Sequence, residues 1–139
     1  MIDLNNISEI PQLLTEAQVI AVVGLTPKAE RPSNMVARYL KQAGYIVIPV
    51  NPGHDQILGE RCYPSLLDVP SRIDIANIFR RSEDVGPIVH QAIEKGCTAI
   101  WMQQGIVNHD AAAKAKQHGI KVVMDRCIKV DHDNLFHRN

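Results

Sequence analysis

Ile20-Ala-Val-Val-Gly-Leu-Thr26, then a helical stretch, then Tyr45-Ile-Val-Ile-Pro-Val-Asn-Pro52: this succession decides how the chain folds. Both ends are short runs rich in β-branched residues, and Gly24 after the first permits a tight turn into the helical stretch. The intervening Ser33 to Ala43 opens on a residue suited to cap a helix and stops before Gly44, a usual C′ glycine. Val36, Ala37, Leu40 and Ala43 lie on one apolar stripe of that helix. Strand, crossover helix and strand make a βαβ unit, whose two strands run parallel.

The design recurs along the chain. Apolar runs at Val19 to Val23, Tyr45 to Val50, Asp74 to Phe79, Ala99 to Met102 and Lys121 to Met124 predict five strands. Ser82 to Lys95 predicts a helix with a serine cap, acids in its first turn and Gly96 as its stop. Asn108 to His118 predicts another, closed by Gly119, and a helix at Pro11 to Ala17 precedes the first strand. Gly53 to Ser71 reads as loop, with one helical turn at Ser65 to Asp68, and the polar tail from Cys127 is undecided. The class is α/β: a Rossmann-like three-layer fold, with a five-stranded, mainly parallel sheet and helices on both faces. No linker or repeat interrupts residues 1–139, which read as a single domain.

Composition narrows the function classes. Fifteen basic and fifteen acidic residues cancel, so no global field draws the protein to nucleic acid or an anionic membrane. At 4% aromatic, the chain is poorly equipped for base stacking. Its apolar runs are too short to span a bilayer, and Met1 to Asn6 lacks the pattern of a secretory signal. Cys62, Cys97 and Cys127 form no C-x-x-C, and the six histidines are scattered, so no metal site is encoded. The simplest setting is reduced and cytoplasmic.

Ligands of such sheets bind beyond the carboxyl ends of the strands. After the first strand, Gly24, Leu25 and Thr26 lead to Arg31-Pro32-Ser33, the ingredients of a phosphate cradle. It is neither a Walker A loop nor G-x-G-x-x-G, since only Gly24 is present. Asn51, before Pro52, stands where an acidic residue would hold an NAD ribose. Phe79 is followed by Arg80 and Arg81, two cations at a helix start that an anion would stabilise. Gln104 and Gly105 offer an amide and a bend after the fourth strand. No acid, base or nucleophile converges on these loops; Cys127 beside Arg126 is the one reactive-thiol candidate, against the alternative of an inert cysteine. Trp101 is read as a core residue.

These pieces, with Ile57-Leu-Gly-Glu-Arg-Cys-Tyr-Pro-Ser-Leu66, Trp101-Met-Gln-Gln-Gly-Ile106 and Val123-Met-Asp-Arg-Cys-Ile128, occur in the order of a known family. From about Ile10 to Cys127 the chain resembles the small stand-alone CoA-binding proteins, similar to the CoA-binding domain of the succinyl-CoA synthetase α subunit. The resemblance implies a site for coenzyme A or an acyl-CoA. Gly24, Leu25 and Thr26 would border the pyrophosphate, and Arg31 and Ser33 would contact phosphate. Asn51-Pro52 would line the ligand's path, with Phe79, Arg80 and Arg81 opposite. The family commonly has serine at the position of Thr26, which keeps the hydroxyl. The synthetase's phosphohistidine and second domain have no counterpart, so its activity does not transfer and a binding role without catalysis is expected. The alternatives are an NADP-dependent oxidoreductase, or a partner-dependent subunit with a vestigial nucleotide site. A protein partner or a homo-oligomer stays open.

Overall fold

The computed structural model describes residues 5–137; Met1 to Leu4, which belong to the stretch read for a signal sequence, and the last two residues lie outside them. In chain order the elements are α1 (Ile10–Glu16), β1 (Val19–Val23), α2 (Pro32–Gln42), β2 (Ile46–Val50), β3 (Gln56–Ile57) and β4 (Glu60–Arg61). Then come β5 (Ile75–Ile78), α3 (Val85–Lys95), β6 (Ala99–Met102), α4 (His109–Gln117), β7 (Lys121–Val123) and α5 (Ile128–Phe136). Five strands form one sheet in the order β2-β1-β5-β6-β7, and every pairing is parallel. The expected fold class is borne out.

Alternation along the strands builds two apolar layers. Ala21, Val23, Ala76, Ile78, Ile100 and Met102 face α3 and α4. Ile20, Val22, Ile75 and Trp101 face α1, α2 and α5. Trp101 is fully buried as expected, and its Nε1 donates to the Arg126 carbonyl at 2.8 Å. The chain leaves β1 for β2 on one side and then returns for β5 on the other. The order therefore reverses between β1 and β5, which makes their carboxyl ends the topological switch point.

The helix starts differ from the sequence reading. α2 begins at Pro32, not at Ser33, and Arg31 is its N-cap. Proline's fixed φ and missing N–H suit the first helical position, which moves the start one residue earlier. Ser82 does not cap α3 either; Ser82–Asp84 is a 3-10 turn that precedes it. Asn108 does cap α4, accepting from the Ala111 N–H at 3.0 Å. Within the predicted loop, β3 and β4 form a hairpin around Leu58 (φ 55°) and Gly59 (φ 76°). Two positive φ values fit a two-residue hairpin turn, but leucine there gives no sequence signal. The undecided tail is α5. It is pinned by the Arg126–Asp131 pair, with two bonds of 2.8 Å, and by a 2.8 Å bond between Tyr39 Oη and His132 Nδ1. Burial, with the neighbouring His137, lowers the His132 pKa, which favours the neutral ring in that contact.

At the amino ends of the strands, Asp74 accepts from the N–H groups of Gln18 and Val19, each at 2.9 Å, and pairs with Arg72 at 2.9 Å. Burial pushes its carboxyl up, but the Val19 and Gln18 N–H groups and Arg72 outweigh that and hold it below its usual value. Asp74→Ala is expected to cost about 1–3 kcal/mol, because the Gln18 and Val19 N–H groups lose their acceptor. Because the folded-state pKa is depressed, this stabilisation is complete above the unfolded value of about 3.9 and is lost as pH falls through the folded one. Urea unfolding across pH 3 to 7 checks it: the difference between wild type and variant should shrink only at the acid end.

Candidate functional site

Gly24 sits where the end of β1 meets the start of the loop after β5. Its N–H donates to the Val50 carbonyl at 2.8 Å, and the Phe79 N–H donates to the Val23 carbonyl at 2.8 Å. Its φ is +87°, and a Cβ placed on it would lie 2.2 Å from the Phe79 carbonyl oxygen. Only glycine allows both the turn and the approach. Arg80 reaches over the same point, with Nη1 3.4 Å from where that Cβ would stand.

The loop between β1 and α2 is closed by its own side chains. Ser33 Oγ accepts from the Thr26 N–H at 3.3 Å, and Asn34 Nδ2 donates to the Thr26 carbonyl at 2.9 Å. Arg38 buttresses it from outside, through Asn34 Oδ1 and the Ala29 carbonyl, both at 2.8 Å. The outcome is a cleft of about 400 Å³ between this loop and Phe79, lined by Gly24, Thr26, Arg31, Pro32, Ser33 and also Lys28. The positive end of α2 opens onto it.

The charged residues that line the cleft, Lys28 and Arg31, and Arg80 beside Gly24 are all cations. Lys28, Arg31 and Arg80 have no ion-pair partner among the described residues, and no carboxylate, histidine or cysteine lines the cleft. In a chain of zero formal net charge, that is a local excess of cations, with Glu30 the one acid of the loop between β1 and α2. Lys28 was not singled out from the sequence; its neighbour Glu30 hides it in a loop of mixed sign.

The other predicted residues fall into two groups. Leu25 is fully buried in the core, so only its backbone faces the loop. Asn51 frames the cleft from behind. Its Nδ2 donates to the Leu25 carbonyl at 2.9 Å and its Oδ1 accepts from the Gly53 N–H at 3.2 Å, with Pro52 exposed between. Arg81 points away into its own turn, held by Asp84 at 3.0 Å and Glu83 at 3.8 Å. Gln104 is exposed, and the Gly105 N–H donates to Asp125 Oδ1 at 2.7 Å. Ser82 joins this loop to that of β5, accepting from the Val107 N–H at 3.0 Å. Cys127 is half-buried at the start of α5 and packs against the α1, α2 and α5 layer. Burial pushes the Cys97 thiol up to about 11 and also raises that of Cys62.

A larger groove, about 810 Å³, lies at the opposite ends of the strands, among Gln18, Gly44, Tyr45, Ile46 and the end of α5. It lacks the switch-point position, and among the described residues no arginine or lysine lines it.

Fold and cleft together define a Rossmann-like domain with an anion-ready site at its switch point. Residues 18–133 match the CoA binding domain family, and the chain belongs to it. It is 42% identical over 125 residues to the uncharacterised protein YneT of Bacillus subtilis (strain 168), covering 90% of this chain and 93% of that one. It is 30% identical over 115 residues to the ADP-forming acetate–CoA ligase II of Archaeoglobus fulgidus, covering 74% of this chain but only 17% of the ligase. Among solved structures, a hypothetical protein from Pyrococcus horikoshii OT3 superposes with a TM-score of 0.90 at 40% identity, covering 92% of this chain and 90% of that one.

Gly24→Ala is the sharpest test of how the cleft is built. The clash with the Phe79 carbonyl adds to a left-handed backbone penalty of about 1–2 kcal/mol, so a loss of at least about 2 kcal/mol is expected in chemical denaturation. Gly44→Ala also has positive φ but nothing within 4 Å of its added Cβ, so it should cost distinctly less.

Proposed function

We infer that this protein binds coenzyme A or an acyl-CoA at the switch-point cleft, as one domain and without catalysis of its own. The observation that carries this is a glycine-floored cleft at a helix start, lined by Lys28 and Arg31 with Arg80 beside Gly24, all three unpaired among the described residues. Coenzyme A carries a diphosphate and a 3′-phosphate, and separate cations on both walls suit phosphates at more than one point. Family membership supports the same ligand. The lack of an acidic group, histidine or thiol in the cleft favours binding over chemistry.

An NADP-dependent oxidoreductase is less well supported. Asn51, in place of the acidic ribose clamp, uses its side chain to hold Leu25 and Gly53 rather than a ribose. One observation favours a second role within the CoA reading: the matched region is a small part of the acetate–CoA ligase. A partner protein supplying chemistry to the bound CoA fits that pattern. Free cysteines suit a reducing cytoplasm, and no helix among the described residues is long and apolar enough to cross a membrane.

Calorimetric titration with CoA, acetyl-CoA, NADP and NAD tests the reading. CoA or acetyl-CoA should bind and NAD should not. Arg80→Ala should weaken CoA binding about tenfold or more, as expected for losing a charged hydrogen bond of about 1.5–3 kcal/mol. Arg81→Ala, whose guanidinium is engaged by Asp84, should change it little. NADP binding without CoA binding overturns the assignment; silence for all four shifts it to a subunit that needs its partner.

A further inference from the structure

The loop that carries Lys28 and Arg31 has no apolar anchor. Pro27 to Pro32 are all exposed, so no buried side chain sets where its cations stand. Its shape rests on hydrogen bonds instead, and one residue behind the cleft supplies two of them. Arg38, midway along α2, is exposed and lines no part of the cleft. Its Nη2 donates to the Ala29 carbonyl at 2.8 Å. Among the described residues, this is the one hydrogen bond that reaches Pro27 to Glu30 from outside the loop; the others there join Lys28 to Thr26 and Arg31 to Lys28.

The same guanidinium fixes a second point. Its Nε donates to Asn34 Oδ1 at 2.8 Å, and Asn34 Nδ2 donates to the Thr26 carbonyl at 2.9 Å. Asn34 is only 1% exposed. An asparagine amide has a donor end and an acceptor end, whereas a guanidinium only donates and a carbonyl only accepts. With Arg38 on one side and Thr26 on the other, a single orientation of that amide satisfies both. Charge pairing does not account for Arg38, since no carboxylate pairs with it among the described residues. It adds a cation to a loop that already bears Lys28 and Arg31, and like charges repel.

We propose that Arg38 is a positioning residue for the bound anion: without touching it, Arg38 holds the loop between β1 and α2 in the shape that presents Lys28 and Arg31 to the ligand's phosphates. This rests on the CoA reading of the cleft. A loop that samples other shapes binds less tightly, in proportion to the fraction of time it is competent, and ordering it on binding costs affinity. Arg38 meets that cost before the ligand arrives. Both arms of its fork take part: Nη2 sets Ala29, and Nε sets Thr26 through Asn34.

Calorimetry with CoA and backbone 15N relaxation, on wild type, Arg38→Ala and Arg38→Lys, test this. Both variants should weaken CoA about five- to tenfold, as for a loop competent only about a tenth to a fifth of the time. Lysine keeps the charge but lacks the planar fork that spans Asn34 and Ala29. Wild-type affinity in Arg38→Lys means that charge alone matters and overturns the proposal, as does unchanged affinity in Arg38→Ala. Relaxation separates positioning from general stabilisation. In free Arg38→Ala the order parameters of Lys28, Ala29 and Glu30 should drop from about 0.85 to below about 0.6, while those of β1 and β5 hold. Saturation with CoA should restore them. A loop that stays ordered, or order lost across the sheet together with a lower urea midpoint, overturns the proposal with CoA binding intact. A wild type that binds no CoA removes the CoA reading and this inference with it, a failure seen before any substitution is made.

Discussion

The Phe79 carbonyl oxygen lies 2.2 Å from where a side chain at position 24 would begin, and the architecture of the cleft depends on that approach. It draws the loop after β1 against the loop after β5, at the one place in the sheet where the strand order reverses. Arg31, on the first loop, and Arg80, on the second, thereby face one cleft although they are far apart in sequence. Neither loop would hold its place alone. The first is closed by Ser33 and Asn34 and tied to the loop after β2 by Asn51, and the second is tied to the loop after β6 by Ser82.

The electrostatics derive from that geometry. Arg80 and Arg81 are adjacent in sequence but differ in state. Arg81 is neutralised within its own turn by Asp84, whereas Arg80 is half-buried over Gly24 with no acid at hand. The acids of the 3-10 turn thus offset the helix-start penalty of Arg81 and leave Arg80 to a ligand. Crowding unpaired cations at the start of a helix is locally unfavourable, and function is where such local costs are retained.

The sheet was legible because β-branched runs, serines, asparagines and glycines recur at spacings that only a parallel α/β fold satisfies. Val19–Val23 and Ala99–Met102 have the predicted bounds, and the other strands shift by a residue or so at their ends. Ser33 and Ser82 misled as caps because a hydroxyl before an apolar stripe reads as a cap wherever its bond goes; here both bonds go to neighbouring loops. The hairpin was invisible because Leu58 holds a left-handed conformation on tertiary grounds. The cradle residues Gly24, Thr26, Arg31 and Ser33 were legible as a local motif. Lys28 was not, because Glu30 two residues on gives the loop a mixed sign in the sequence.

The two depressions at opposite ends of the sheet differ in chemistry as well as in volume. The groove of about 810 Å³ is larger, but its polar groups already answer to one another: His132 to Tyr39, and Tyr45 Oη to the Leu14 carbonyl at 2.6 Å. Burial favours the neutral form of that histidine. The smaller cleft is the reverse. Its cations lack ion-pair partners among the described residues, and its helix start faces open space. A folded chain minimises unmet polar groups everywhere it can. Where several unpaired cations gather at the switch point of a parallel sheet, beside a helix start, the local electrostatics favour an anion there.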